Sequence, residues 1–165
     1  MPAFIFDLDG TLVDSVYQHV MSWHAALREC GFDLSVWRIH RRIGMSGGLL
    51  VRALARELKM ALDERTIERL KKLHAQEFGR RVGSISVLPG ARELLRELTE
   101  LRIPYILATS GTTDDAAPMC NLLGLDKSVQ VVTRADVERA KPDPNLFLAA
   151  ANKLRAKDVE TMVVG

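Results

Sequence analysis

Apolar and polar residues alternate along this chain in two rhythms, and the change between them divides it. Ala3 to Phe6 form a short unbroken apolar run that stops at Asp7. A run of that length, rich in aromatic and branched residues, predicts a buried strand of a parallel sheet. From Val16 the period becomes helical. Val16, Val20, Trp23, Ala26, Leu27 and Cys30 recur at steps of three and four until Gly31. A short second helix is expected over residues 35–43, followed by a flexible loop, Gly44-Met45-Ser46-Gly47-Gly48. Ser46 is placed to cap a third helix carrying Leu50, Ala53, Leu54 and Leu58. A fourth begins near Asp63 and carries Ile67, Leu70, Leu73 and Phe78. Residues 15–82 thus read as a helical block.

Beyond that block, strand and helix patterns alternate. Pro89-Gly90 opens a helix with Leu94, Leu95, Leu98 and Leu101, and Tyr105-Ile106-Leu107-Ala108 reads as a buried strand. A helix is expected from near Asp114 to Leu123, closed by Gly124. A short strand follows over residues 129–132, then a helix over 144–154 and a strand over 161–164. Such alternation predicts an α/β fold, a doubly wound, Rossmann-like parallel sheet with right-handed crossovers. The sheet is assigned to residues 1–14 and 83–165, with the helical domain, 15–82, inserted after the first strand.

Composition changes this picture little. The 165 residues are 47% hydrophobic, enough for a sizeable core. The 23 basic and 21 acidic residues leave a net charge of +2, too balanced to point to nucleic acid or an anionic membrane. No apolar run approaches a membrane span, and the chain enters its first strand without a visible secretory signal. Cys30 and Cys120 have no metal-type spacing and read as small buried hydrophobes, as in a reduced, cytoplasmic setting.

The candidate chemistry begins where the first strand ends, at Asp7-Leu8-Asp9-Gly10. Ligands of open α/β sheets collect beyond the carboxyl ends of strands. Residues two apart on extended chain point the same way, so Asp7 and Asp9 converge while Leu8 faces away. Gly10 then permits a sharp turn. Two such carboxylates need a compensating cation, and Mg²⁺ with oxygen ligands suits phosphate chemistry. One carboxylate can attack phosphorus while the other handles protons. The alternative is a pair of solvated turn residues. An EF-hand calcium loop fits poorly, because Leu12 and Gln18 stand where its Gly and Glu belong.

Asp7-Leu8-Asp9-Gly10-Thr11-Leu12-Val13-Asp14-Ser15 resembles the first motif of the haloacid dehalogenase superfamily. Ala108-Thr109-Ser110-Gly111-Thr112 resembles the second, and Ala140-Lys141-Pro142-Asp143-Pro144 the third. Pro142 biases Lys141 toward extended geometry, and Pro144 suits a first helical position with Asp143 as its cap. Thr109 and Ser110 stand where a helix is about to begin, and free N–H groups there favour an anion. The resemblance implies a set of roles. Asp7 becomes an aspartyl-phosphate and Asp9 is the general acid/base. Both hold Mg²⁺, Asp9 through its backbone carbonyl. Thr109, Ser110 and Lys141 hold the phosphoryl group, and the lysine offsets charge. It also implies that the helical block is the small cap of β-phosphoglucomutase and phosphoglycolate phosphatase, closing to exclude water.

Three readings of function stand at this stage. The first is a Mg²⁺-dependent hydrolase of small phosphate monoesters, of sugar phosphate or phosphoglycolate type. The second is a β-phosphoglucomutase-like phosphotransferase. The third is a non-catalytic phosphate-binding relative. Thr11 leans toward the first, and Asp9 argues against dehalogenation, whose enzymes lack the second carboxylate. In the family, a strand like residues 161–164 leads into an acidic cluster that completes the Mg²⁺ shell, but this sequence stops at Gly165. The expectation is a piece of a longer protein that by itself binds Mg²⁺ weakly and turns over poorly. In the cap, His19 is expected near the hinge and active site, or else on the helix surface. Arg42 and Ser46 flank a loop suited to a substrate's anionic end, or else Arg42 belongs to a solvated basic face. The expected partner is a small phosphorylated metabolite, with neither nucleic acid nor membrane, and oligomeric state is left open.

Overall fold

The computed structural model describes residues 2–126, 128–154 and 160–165. The chain divides into two compact units, Met1–Asp14 with Ser86–Gly165, and Ser15–Ile85.

In the first unit, β1 (Ala3–Phe6) is the central strand. Its own unit continues through β2 (Val13–Asp14), β3 (Ser86–Val87), α5 (Ala91–Glu100), β4 (Tyr105–Ala108), α6 (Thr113–Leu123), β5 (Val131–Val132), α7 (Asn145–Lys153) and β6 (Thr161–Val164). The helices α1 to α4 belong to the second unit, described below. Among the described residues, the main sheet has the order β5-β4-β1-β6, with every pairing parallel. Side chains alternate across it as the strand period requires. Ile5, Ile106, Ala108 and Val132 pack on one face with Leu146 and Ala150 of α7. On the other, Phe4 stacks on Phe6, and Phe6 meets the edge of Tyr105. Ala3, Ile5 and Phe6 are buried, as a strand flanked on both faces demands.

β2 and β3 pair antiparallel, Val13 with Val87 and Asp14 with Ser86. This two-stranded ribbon sits where the chain leaves for the second unit and where it returns. Two-residue strands leave almost no periodic signal, so the sequence does not announce it.

The second unit is helical: α1 (Val16–Glu29), α2 (Val36–His40), α3 (Gly47–Glu57) and α4 (Glu64–Arg81). Val20, Trp23, Ala26, Leu27, Leu50, Leu54, Ile67 and Leu70 form its core. Gly31, at φ +83°, ends the α1 turn in a conformation that favours glycine. Asp63 caps α4 by accepting from Thr66 N at 2.8 Å. A 3₁₀ turn, Val82–Ser84, prolongs α4, and Ile85 is buried, so the unit ends at Ile85.

Several boundaries differ from the expected ones. α2 is shorter than 35–43. α3 starts at Gly47, so Gly47 and Gly48 are helical rather than part of a loop, and Ser46 flanks the helix without a capping hydrogen bond. Gly47 has a packing reason: a Cβ there would lie 3.0 Å from the Trp23 ring. The strand expected over 129–132 is reduced to Val131–Val132, because Val129 N is drawn into a turn, donating to Asp126 O at 3.0 Å.

The segment after β5 is braced before it reaches Lys141. Asp136 accepts from Thr133 N at 2.8 Å, Thr133 Oγ1 at 3.0 Å and Lys153 Nζ of α7 at 2.9 Å. These donors hold the Asp136 carboxyl below its ordinary value of 3.8, the Thr133 backbone N–H contributing most. A depressed carboxylate contributes stability that is present above the unfolded-state pKa and is lost as pH falls through the folded one. Asp136→Asn is therefore expected to be destabilising at pH 7 and to lose its difference from wild type as pH drops below about 4. Urea denaturation across pH 3–7 checks this, and a pH-independent difference would contradict it.

Candidate active site

β1 ends at Phe6, and the next residue, Asp7, donates its backbone N–H to Val164 O at 2.8 Å. That bond fixes the Asp7 backbone to the neighbouring strand. Its carboxylate is then held from two sides. Oδ1 accepts from Leu8 N at 2.9 Å, and Oδ2 lies 2.5 Å from Lys141 Nζ. Leu8 is buried, so the alternation expected from extended chain places Leu8 in the core. The chain then turns: Gly10 takes φ +79° and donates to Val13 O at 2.8 Å. This turn brings Asp9 alongside Thr109, whose Oγ1 donates to Asp9 Oδ2 at 3.3 Å.

Thr109 follows β4 directly. It is buried, its N–H bonds Val132 O at 2.9 Å, and its Oγ1 accepts from Gly111 N at 3.0 Å. The hydroxyl is therefore oriented by its neighbours. The start of α6 is closed by its own capping box. Thr112 Oγ1 accepts from Asp115 N at 3.2 Å, and Asp115 Oδ2 accepts from Thr112 N at 3.1 Å. The expectation of a free helix start for an anion is corrected to that extent. Ser110 lies on the same loop, between Thr109 and Gly111.

Lys141 approaches from a tight turn. Ala140 O accepts from Asp143 N at 3.2 Å, and the Lys141–Pro142 peptide is cis, which puts a cis proline at the third position of the turn. α7 begins at Asn145, one residue later than expected, and Asp143 Oδ1 accepts from Asn145 N at 3.1 Å. The lysine stem reaches over the Phe147 ring, with Nζ 5.0 Å from its centroid.

Electrostatics at Asp7 are a contest. Burial raises its carboxyl above the ordinary 3.8, and the Lys141 charge and hydrogen bond pull it back without fully offsetting the loss of solvent. Asp9 adds a smaller upward push. Side-chain exposures of 17% for Asp7 and 15% for Lys141 make this a largely desolvated pair, in which losing one partner strands the other.

A family model described as hydrolase, haloacid dehalogenase-like hydrolase, matches residues 1–165. The chain belongs to the haloacid dehalogenase-like hydrolases. It is 32% identical to hexitol phosphatase A of Escherichia coli (strain K12), over 98% of this chain and 72% of that protein. It is 30% identical to the phosphorylated carbohydrates phosphatase of Thermotoga maritima, over 99% of this chain and 75% of that protein. The crystal structure of a hydrolase from Pseudomonas syringae superposes with a TM-score of 0.95 at 48% identity, covering 99% of this chain and 75% of that one. These relatives support the enzyme class read from the sequence, a phosphoric monoester hydrolase.

In this haloacid dehalogenase-like hydrolase, the structure thus brings Asp7, Asp9, Thr109 and Lys141 together at the carboxyl end of the main sheet. The remaining candidates lie in the helical unit. His19 is buried rather than on the helix surface. It stacks on Phe78 at 3.9 Å, and its Nδ1 lies 3.2 Å from His74 Nε2. Arg42 pairs with Glu57 at 3.1 Å, so its charge is offset within that unit, and Ser46 is buried. Phe147, against the lysine, carried no sequence signal, because its position in α7 reads as one more apolar residue of a helix. Among the described residues no three His, Cys, Asp or Glu side chains cluster to hold a metal, and no helix is long and apolar enough to cross a membrane.

Removing the lysine tests the contest directly. Lys141→Met is expected to raise the Asp7 pKa further, since both Lys141 contributions lower it. Carboxyl ¹³C NMR of the metal-free protein checks this, and an unmoved or lowered value would contradict it.

Proposed function

We propose that this chain hydrolyses small phosphate monoesters through a covalent phosphoryl-Asp7 intermediate. The observation that carries the reading is the Asp7–Lys141 pair at 2.5 Å on the same strand end that holds Asp9 against Thr109. Both Asp7 oxygens have donors, so the nucleophile is oriented before substrate arrives, which is where much of a phosphoryl-transfer enzyme's advantage lies.

In the first step an Asp7 oxygen bonds to phosphorus as the ester P–O bond breaks, and Asp9 gives its proton to the departing alkoxide. In the second, Asp9 takes a proton from water as the water oxygen attacks phosphorus. The acyl phosphate P–O bond then breaks, releasing phosphate and restoring the Asp7 carboxylate. Lys141 neutralises charge on Asp7 and the phosphoryl oxygens in both steps. Thr109 keeps Asp9 aimed through its hydroxyl, with Ser110 beside it to donate to the phosphoryl group.

Mg²⁺ fits the donor set present. Asp7 and Asp9 offer hard oxygens, and Mg²⁺ is commonly held by one or two carboxylates with water and substrate phosphate completing its shell. When bound it supplies positive charge against the phosphate and the two carboxylates.

The names of hexitol phosphatase A and the phosphorylated carbohydrates phosphatase direct the choice of substrate to phosphorylated polyols and sugars. A panel of these, with phosphoglycolate beside them, tests the function by release of inorganic phosphate. The expected result is release that requires Mg²⁺, is abolished by EDTA, and falls at least about a thousandfold in Asp7→Asn. Conversion of a hexose phosphate to its isomer, with no free phosphate, would establish the mutase reading instead. Equal release by Asp7→Asn would contradict both.

A further inference from the structure

Beyond the groups that would touch the phosphoryl unit, the site depends on a side chain that is missing. β1 pairs with β6 in the register Phe6↔Val164, and Val164 O accepts the Asp7 N–H. Gly165 therefore stands beside Asp7, each the first residue beyond its strand. The position is special in the topology as well. The chain passes from β1 outward to β4 and β5, then returns to β6 on the opposite side of β1. The crevice where a sheet reverses in this way is where open α/β sheets bind ligands, and here it opens between β1 and β6.

A Cβ on Gly165 would lie 3.0 Å from Asp7 Cβ, and 3.8 and 3.9 Å from its Oδ2 and Cγ. Of the other glycines of ordinary backbone conformation, Gly47 and Gly111 meet side-chain atoms at 3.0 and 3.3 Å, while Gly48, Gly79 and Gly83 have nothing within 4 Å of such an atom. Gly165 is not among the residues of positive φ, so its backbone does not demand glycine. What demands it is the neighbour. Asp7 Cβ is fixed to the backbone of the central strand and cannot step aside as a flexible side-chain end would. A methyl at 165 requires a shift of a few tenths of an ångström, by turning the carboxylate or parting the two strand ends, and either motion disturbs the placement of Oδ2 against Lys141.

We infer that Gly165 is a positioning residue for Asp7, leaving the space in which the carboxylate lies against Lys141. The catalytic consequence rests on the proposed role of Asp7 as nucleophile, while the structural consequence does not. The test compares wild type, Gly165→Ala and, as a control in open space, Gly79→Ala. Two readouts are taken: a crystal structure of each, and kcat and KM for phosphate release. The expected Gly165→Ala structure has the Asp7 Oδ2 to Lys141 Nζ distance longer than the 2.5 Å of wild type. Its kcat is expected to fall roughly threefold to tenfold with KM little changed, less than the roughly hundredfold effect of a misplacement of about 1 Å at a reacting group. Gly79→Ala is expected to match wild type in both.

An ion pair in Gly165→Ala as short as in wild type overturns the inference, and so does an unchanged kcat in a wild type that turns over. A wild type without phosphate release sinks the proposed function instead, and the structures alone then decide the role of Gly165. If Gly165→Ala folds poorly, its loss of stability is measured again in an Asp7→Gly background, which lacks the facing Cβ. A smaller loss there supports the contact, and an equal loss overturns it.

Discussion

The pairing of Asp7 with Lys141 is the interaction on which the core unit's site turns. A carboxylate this far from solvent is costly to charge, and burial does raise its pKa. The lysine limits that rise, and the Leu8 N–H adds to its effect. Lys141 in turn is confined by a tight turn, by the Phe147 ring and by a loop tied to α7 through Asp136 and Lys153. Charge balance and geometry are therefore supplied by the same contacts. On the proposed reading, a phosphate dianion arriving at this strand end would meet a carboxylate whose negative charge is already offset.

The sheet makes the arrangement possible. Parallel strands deliver their carboxyl ends to one edge, so residues far apart in sequence arrive together: Asp7 after β1, Thr109 after β4 and Gly165 after β6. Asp7 and Thr109 are held by backbone bonds to an adjacent strand, Asp7 N on Val164 O and Thr109 N on Val132 O. Side chains on such rigid ends are located more closely than a free loop would allow. The helical unit has its own core, built around Trp23 and the stacked His19, His74 and Phe78. Its chain joins the core unit at Asp14 and Ser86, in the short β2–β3 ribbon.

Much of this was legible in the sequence, for physical reasons that differ by element. β1, β4 and β6 are continuous apolar runs bounded by polar residues, and such runs have few other uses in an α/β chain. The long helices show their periodicity. Asp7 and Asp9 were visible because a buried strand that stops in two carboxylates is costly unless something offsets them. Tertiary effects were harder to see. Gly47 reads as loop composition, but it is a helical residue whose lack of a side chain makes room for Trp23. The bias that Pro142 places on Lys141 was legible, but not the turn through Asp143 N and Ala140 O that sets its direction. His19 reads as a helix-surface or hinge residue until α4 brings His74 and Phe78 against it. Gly165 had no signal at all, because its significance is the distance to a residue on another strand.

The central claim is that Asp7 takes the phosphoryl group covalently, and chemical trapping tests it most directly. The enzyme is mixed with Mg²⁺ and a phosphorylated polyol, quenched within the first turnover and treated with borohydride. That reagent reduces an acyl phosphate on aspartate to homoserine, which peptide mass spectrometry locates by residue. The account predicts homoserine at position 7 alone, and none when substrate is withheld. Turnover without homoserine at position 7, or with it at position 9 instead, would contradict it.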